Sequence, residues 1–324
     1  MLSILDVPAA LAPEFPFPYP GHQRGPLVEA FAERYLRDQR ERWPLEHAWT
    51  YVPAHWTSYA CCVSRRKRLG RRLAIERMRR FLASLPPGRR YFTISQHDDG
   101  LVQRGLCRPN RPIYEFSAGG CGDVPIPLLC DPHTPVARRR DIRASFVGAL
   151  STPTQRYPAR DAMAAALAGR PEYLVRDVTP VWGERDDRSL STKTAEFVDV
   201  MCRSVFALCP RGYGKTSFRL YEAMQLGCVP VYIYDEPWLP YSDAIDWNEI
   251  CVLVHVREAD RLHDILASKT EREIQAMRRR IAELWSEYFT LEGVMRQIPR
   301  YLNAAAKGRL DDVPARGGGL RVAG

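Results

Sequence analysis

From Arg143 to Phe289 short β-branched or apolar runs alternate with longer segments of helical spacing, and no other feature limits the fold so strongly. Strands are expected at Ala144–Val147, Tyr173–Val175, Val205–Leu208, Val229–Tyr234 and Cys251–Val256. Helices are expected at Ala159–Ala168, Thr192–Arg203, Ser217–Leu226, Arg261–Leu266 and Thr270–Phe289. A strand that returns after a helix pairs in parallel, so the alternation predicts an α/β fold with helices on both faces of the sheet. Upstream, Leu27, Ala30, Phe31, Tyr35 and Leu36 predict a helix over 27–42, and a second is expected over 69–85. Strands are expected at Trp49–Val52, Tyr91–Ser95, Ile113–Phe116 and Val124–Leu129. A chain of 324 residues exceeds what one core usually serves. Two domains, 1–141 and 142–303, follow, with a flexible tail at 304–324 around Gly317-Gly318-Gly319. Five prolines make the first twenty residues an extended arm.

Composition excludes several classes. With 45% hydrophobic and 26% charged residues the chain is not disordered throughout. No apolar run approaches the roughly 18 residues of a membrane span, and Met1–Pro20 lacks the charge and hydrophobic regions of a signal peptide. A soluble cytoplasmic protein is expected. Nine cysteines without a CxxC pair argue for reduced thiols, with neither zinc nor a redox couple. The net charge of +9 favours an anionic partner: nucleic acid, a membrane surface or a phosphorylated small molecule. Much of it lies between Arg65 and Arg80. That stretch is either a solvated face or a contact with anionic lipid headgroups, a lipid-linked saccharide or an acidic glycan. Trp49, Trp56 and Tyr59 could stack on sugars, although aromatic residues at such spacing more often belong to the core.

The most informative segment is a strand at Val205–Pro210, a glycine loop Arg211-Gly212-Tyr213-Gly214-Lys215, and a helix that Thr216 or Ser217 can cap. A helix N-terminus carries partial positive charge and disfavours a cation by roughly 0.3–1 kcal/mol. Arg211, Lys215 and Arg219 nevertheless gather there, which makes sense if backbone N–H groups and cations together hold a phosphate or diphosphate. A Walker P-loop would need glycine where Cys209 stands, so ATPase chemistry is not supported. The plainer alternative is a surface ion pair between Arg219 and Glu222. A second polar cluster, His97-Asp98-Asp99, ends the strand Tyr91–Ser95. It could supply a general base, in the order Asp98, His97, Asp99, or it could simply be a turn. Asp123 is a competitor for that role.

Arg203–Phe206, Cys209–Gly212, Ser217–Met224, Gly227–Val231, Leu239–Tyr241 and Ile245–Trp247 together resemble the glycosyltransferase signature of the exostosin family. Asp123–Pro127 and Phe146-Val147-Gly148, with Arg160 following, extend the resemblance upstream, so that it covers about Tyr91–Leu266. The resemblance implies a GT-B architecture of two Rossmann-like domains facing a central cleft. It further implies a nucleotide-sugar donor, usually a UDP-sugar, transfer without a metal or other cofactor, and frequent inversion at the anomeric carbon. Carried across by position, Arg219 would contact the diphosphate, Glu222 the ribose and Arg160 the donor. Arg211, Gly212, Tyr213, Gly214, Lys215, Thr216 and Ser217 complete the expected donor site. The acceptor would be a glycan or lipid-linked saccharide in polysaccharide biosynthesis, with peripheral membrane contact. A nucleic-acid-binding protein and a catalytically silent glycan binder are the alternatives.

Overall fold

A computed structural model describes residues 2–13, 27–101, 113–130, 132–152, 155–178 and 187–308. The chain divides into two units. The first comprises Met1–Leu129, Trp238–Asp243 and the segment from Glu287, and the second comprises Cys130–Pro237 and Ala244–Ser286.

In the first unit β1 (Leu2–Ile4), α1 (Leu27–Asp38), β2 (Trp49–Tyr51), α2 (Trp56–Ser64), α3 (Arg68–Ala83), β3 (Tyr91–Ser95), β4 (Ile113–Ser117) and β5 (Val124–Pro125) follow one another. The five strands form a parallel sheet in chain order. Leu2–Ile4, expected within an extended arm, is therefore an edge strand; residues 14–20 of that arm lie outside the described residues. Trp49, Trp56 and Tyr59 are core residues, not sugar platforms. All three are buried, Trp56 Nε1 donates to Thr93 Oγ1 at 2.7 Å, and Tyr59 donates to the Ala74 carbonyl at 2.7 Å.

In the second unit β6 (Ile142–Gly148) is followed by a small antiparallel pair, β7 (Ser151–Thr152) and β8 (Gln155–Arg156). Then come α4 (Pro158–Leu167), β9 (Tyr173–Asp177), α5 (Asp187–Arg203), β10 (Ser204–Pro210), α6 (Phe218–Gln225), β11 (Val229–Tyr234), β12 (Val252–His255), α7 (Leu262–Ser268) and α8 (Glu271–Tyr288). Its parallel sheet has the order β12-β11-β10-β6-β9. Phe146, Phe206, Leu208, Val229, Val231, Ile233 and Val254 are buried among its core residues. Because β6 leads to β9 on one side while β10 pairs on the other, the order reverses between β6 and β10. Ligands of open α/β sheets bind at the carboxyl ends of strands flanking such a reversal.

The expected boundary near 141 falls instead at 129/130, and the expected extent of the second domain to 303 does not hold. A helix without an expected counterpart, α9 (Leu291–Ala306), follows a break after α8 and belongs to the first unit. The Thr290 hydroxyl caps it by accepting from Gly293 N at 2.9 Å, and Trp43 Nε1 donates to the Met295 carbonyl at 3.3 Å. Ala304–Ala306 are thus helical; residues 309–324 of the expected tail lie outside the described residues. No described helix is long and apolar enough to cross a membrane.

Candidate functional site

The loop after β10 and the turn after β6 meet at the sheet reversal. Ser217 Oγ caps α6 by accepting from Arg219 N at 3.3 Å, which fixes where the Arg219 side chain leaves the helix. Its guanidinium stacks over Phe146 of β6 at 4.4 Å and donates to the Val147 carbonyl. Arg160, from α4, donates to the Ala149 carbonyl, with its guanidinium over Tyr157 at 4.5 Å and over Phe146 at 5.9 Å. Two cations therefore stand by one phenyl ring.

Neither cation is neutralised. Among the described residues no carboxylate forms an ion pair with Arg160 or Arg219, and the Nε atom of each is enclosed without a hydrogen-bond partner. Burial, and then the neighbouring Arg219, push the Arg160 pKa down to about 10; burial lowers that of Arg219 as well. Thr216 is buried nearby in sequence, and its hydroxyl also lacks a partner. Buried donors without acceptors are rare, because each costs roughly 1–3 kcal/mol, so two arginines with such atoms against one ring suit an anion.

Two glycines make room for these guanidinium groups. A Cβ on Gly148 would lie 2.5 Å from Arg219 Nη2, and one on Gly212 would lie 2.5 Å from Arg160 Nη2. Gly212 therefore lets the loop approach Arg160, and Gly214 is buried, while the ring of Tyr213 stands 51% exposed.

The other two cations are placed differently. Arg211 pairs with Asp235 at 2.6 Å and donates to the Tyr213 carbonyl, and Lys215 Nζ pairs with Glu236 Oε2 at 2.6 Å. Both acids lie just beyond β11, so these ion pairs tie the glycine loop to the neighbouring strand. The surface ion pair considered for Arg219 and Glu222 does not form. Glu222 is buried and accepts from His133 Nε2 at 2.9 Å and from Cys130 Sγ at 3.6 Å. His133 is also anchored by its backbone N–H, which donates to Gln225 Oε1. Cys130, His133 and Glu222 are the one described group whose ligand atoms lie close enough together, within 4.8 Å, to hold a metal ion. Sequence reading passed over Cys130 and His133, although their CxxH spacing was a visible signal.

In the first unit the loop after β3 carries the other candidates. His97 Nδ1 accepts from Asp99 N at 3.1 Å, so the neutral ring keeps its proton on Nε2. Asp99 Oδ2 lies 3.8 Å from the same nitrogen. Asp98 packs by its backbone against Gly119, where a Cβ would come within 2.5 Å of Asp98 Cα. Asp123 orders its own loop: its Oδ2 accepts from Glu115 N at 2.8 Å, and its N–H donates back to the Glu115 carbonyl.

Beneath this loop lies Glu115, which sequence reading missed although a glutamate within the apolar run Ile113–Phe116 is anomalous. It is 1% exposed, and both of its carboxylate oxygens accept from Leu101 N at 3.2 Å. Burial drives its pKa up to about 8 against the lowering effect of that hydrogen bond.

Each of the two α/β units is built on a parallel five-stranded sheet, and two cations with enclosed, unpartnered Nε atoms stand at the reversal of the second. Residues 118–269 match the family described as the Exostosin GT47 domain. A probable glucuronosyltransferase of Oryza sativa subsp. japonica is 32% identical over 171 residues, covering 50% of this chain and 38% of the rice protein. The Exostosin-1 homolog of Caenorhabditis elegans is 36% identical over 93 residues, covering 29% of this chain and 24% of the worm protein. The chain thus spans well under half the length of these relatives. Among solved structures, Anabaena HepE in complex with UDP-glucose is 10% identical with a TM-score of 0.42, over 94% of this chain and 99% of that one.

Proposed function

We propose that the chain transfers a sugar from a UDP-sugar to a hydroxyl of a glycan or lipid-linked saccharide, with inversion and without a bound metal, in polysaccharide biosynthesis. The observation that carries this reading is the pair of half-buried, unneutralised arginines Arg160 and Arg219, each with an enclosed, unpartnered Nε and both set against Phe146. Sugar transfer passes through an oxocarbenium-like state while the nucleoside diphosphate departs with its charge. Preorganised cations and N–H donors at that departing charge can stabilise it without a metal, and one such donor is worth roughly 10²–10³ in rate.

The roles then divide by environment. Arg219 and Arg160 take the diphosphate, with the 212–217 amides and the Thr216 hydroxyl as additional donors. Arg211 and Lys215 shape the loop through their ion pairs. Glu222, oriented by His133, receives the ribose hydroxyls. Inversion needs a base for the acceptor hydroxyl, and we assign it to Asp98. His97 has its acceptor nitrogen engaged, and the carboxylate of Asp123 is held by Glu115 N. We place the protein in the cytoplasm, at the inner face of the membrane; the described cysteines are free thiols, in keeping with a reducing compartment.

Thermal unfolding with UDP and a panel of UDP-sugars tests the reading. A ligand at 100 times its Kd adds about 2.7 kcal/mol of stability. UDP-dependent stabilisation, and transfer that persists in EDTA, are expected. No stabilisation by any uridine nucleotide would overturn the assignment, and loss of transfer in EDTA would overturn its metal-independent part.

A further inference from the structure

Between residues 65 and 80 stand nine basic residues and one acid, Glu76, which accounts for eight of the chain's nine net positive charges. All ten are exposed. From Arg68 onward the stretch lies on α3, whose inner face is the buried row Ala74, Met78 and Leu82. A helix with one buried row and this much charge would ordinarily present only polar groups outward. Here it does not. Leu69 and Leu73, one turn apart, are 71% and 52% exposed. At about 100° per residue both point away from the buried row, with Arg72 on one side of them and Arg77 on the other.

An apolar strip flanked by arginines has little use against a polyanion dissolved in water, because nucleic acid and acidic glycan present charge without hydrocarbon. A bilayer of anionic lipid presents both: headgroup phosphate at the level of the guanidinium groups, and acyl chains into which leucine side chains sink. The start of the helix fits the same partner. No acidic residue occupies its first turn, and no side chain caps it at Lys67, so its first N–H groups are left to an anion.

We propose that the outer face of α3 docks on an anionic membrane surface, Leu69 and Leu73 entering the interface while the flanking arginines hold lipid phosphates. The proposal goes beyond the transferase reading and stands on one helix of the first unit. Its test involves no sugar nucleotide, so either idea can fail alone.

The test is flotation of the full chain with vesicles of phosphatidylcholine alone or mixed with phosphatidylglycerol, alongside binding to heparin and to RNA. Binding to the mixed vesicles only, weakening as salt rises, is expected. The double change Leu69→Ser with Leu73→Ser should lower vesicle binding at least tenfold while leaving heparin binding unchanged. Arg72→Glu with Arg77→Glu should reduce both, by about fivefold or more per position. Since every altered side chain is exposed, the melting temperature should stay at the parent value, and it is measured for each variant. Vesicle binding undiminished by the leucine changes would overturn the proposal, as would tight RNA binding without vesicle binding.

Discussion

Replacing Arg219 by methionine separates a residue kept for a ligand from one kept for the fold. In the free protein the arginine carries an enclosed Nε without a partner, worth roughly −1 to −3 kcal/mol against folding. It regains about 0.5–2 kcal/mol from the Phe146 ring at 4.4 Å and about 1.5–3 kcal/mol from the Val147 carbonyl. Midway through these ranges the arginine gains about 1.5 kcal/mol, which the cost of burying its charge offsets. Methionine keeps most of the contact with Phe146, adds a sulfur–aromatic interaction of roughly 0.3–1.5 kcal/mol, and relieves the repulsion felt by Arg160. Arg219→Met should therefore leave the ligand-free protein as stable as the parent or about 1 kcal/mol more so, a rise of roughly 2 °C at most.

The ligand tells the opposite story. If Kd for UDP rises about 100-fold, a concentration that stabilised the parent by about 2.7 kcal/mol stabilises the variant by only about 0.4 kcal/mol. Differential scanning calorimetry with and without UDP reads both quantities. A variant that melts several degrees lower by itself yet keeps the full UDP shift would show that Arg219 is structural and refute the reasoning.

Gly148→Ala should push the Arg219 guanidinium from its place and weaken UDP binding more than tenfold, with little change in melting, as isothermal titration would record. By contrast, Arg211→Met and Lys215→Met break pairs to partly exposed acids; each should alter UDP affinity less than tenfold, against the far larger loss at Arg219. Glu115, whose folded pKa of about 8 lies above the unfolded value of 4.5, contributes stability that is fully present below about pH 4.5 and is lost as pH rises through 8. Glu115→Gln should flatten the decline between pH 7 and 8 in urea melts; the decline between 4.5 and 7 should persist in part, since Glu29 is raised to about 7 by its own burial. Among Asp98→Asn, His97→Ala and Asp123→Asn, transfer should fall most for the first while UDP binding holds. An Asp98→Asn variant with parental turnover would remove it as the base.

Local sequence determined much of this protein. The alternation after Arg143, the strand–glycine loop–helix at 205–226 and the Ser217 cap depend on neighbours a few residues away, and the spacing of apolar groups reports them directly. Clustered cations at 211–219 were equally plain. Which of them meets an anion was not, because pairing is decided across the sheet: β11 delivers Asp235 and Glu236 to Arg211 and Lys215, whereas β6 gives Arg219 only a ring and a carbonyl. Arg160 and Arg219 meet at Phe146 because β6 and β10 are adjacent, an order that no periodicity encodes. Likewise the burial of Glu115, the clasp of His133 on Glu222 and the return of α9 to the first unit join residues far apart in the chain. Charge and propensity are properties of residues, but desolvation and ion pairing are properties of neighbours, and only the folded chain chooses those.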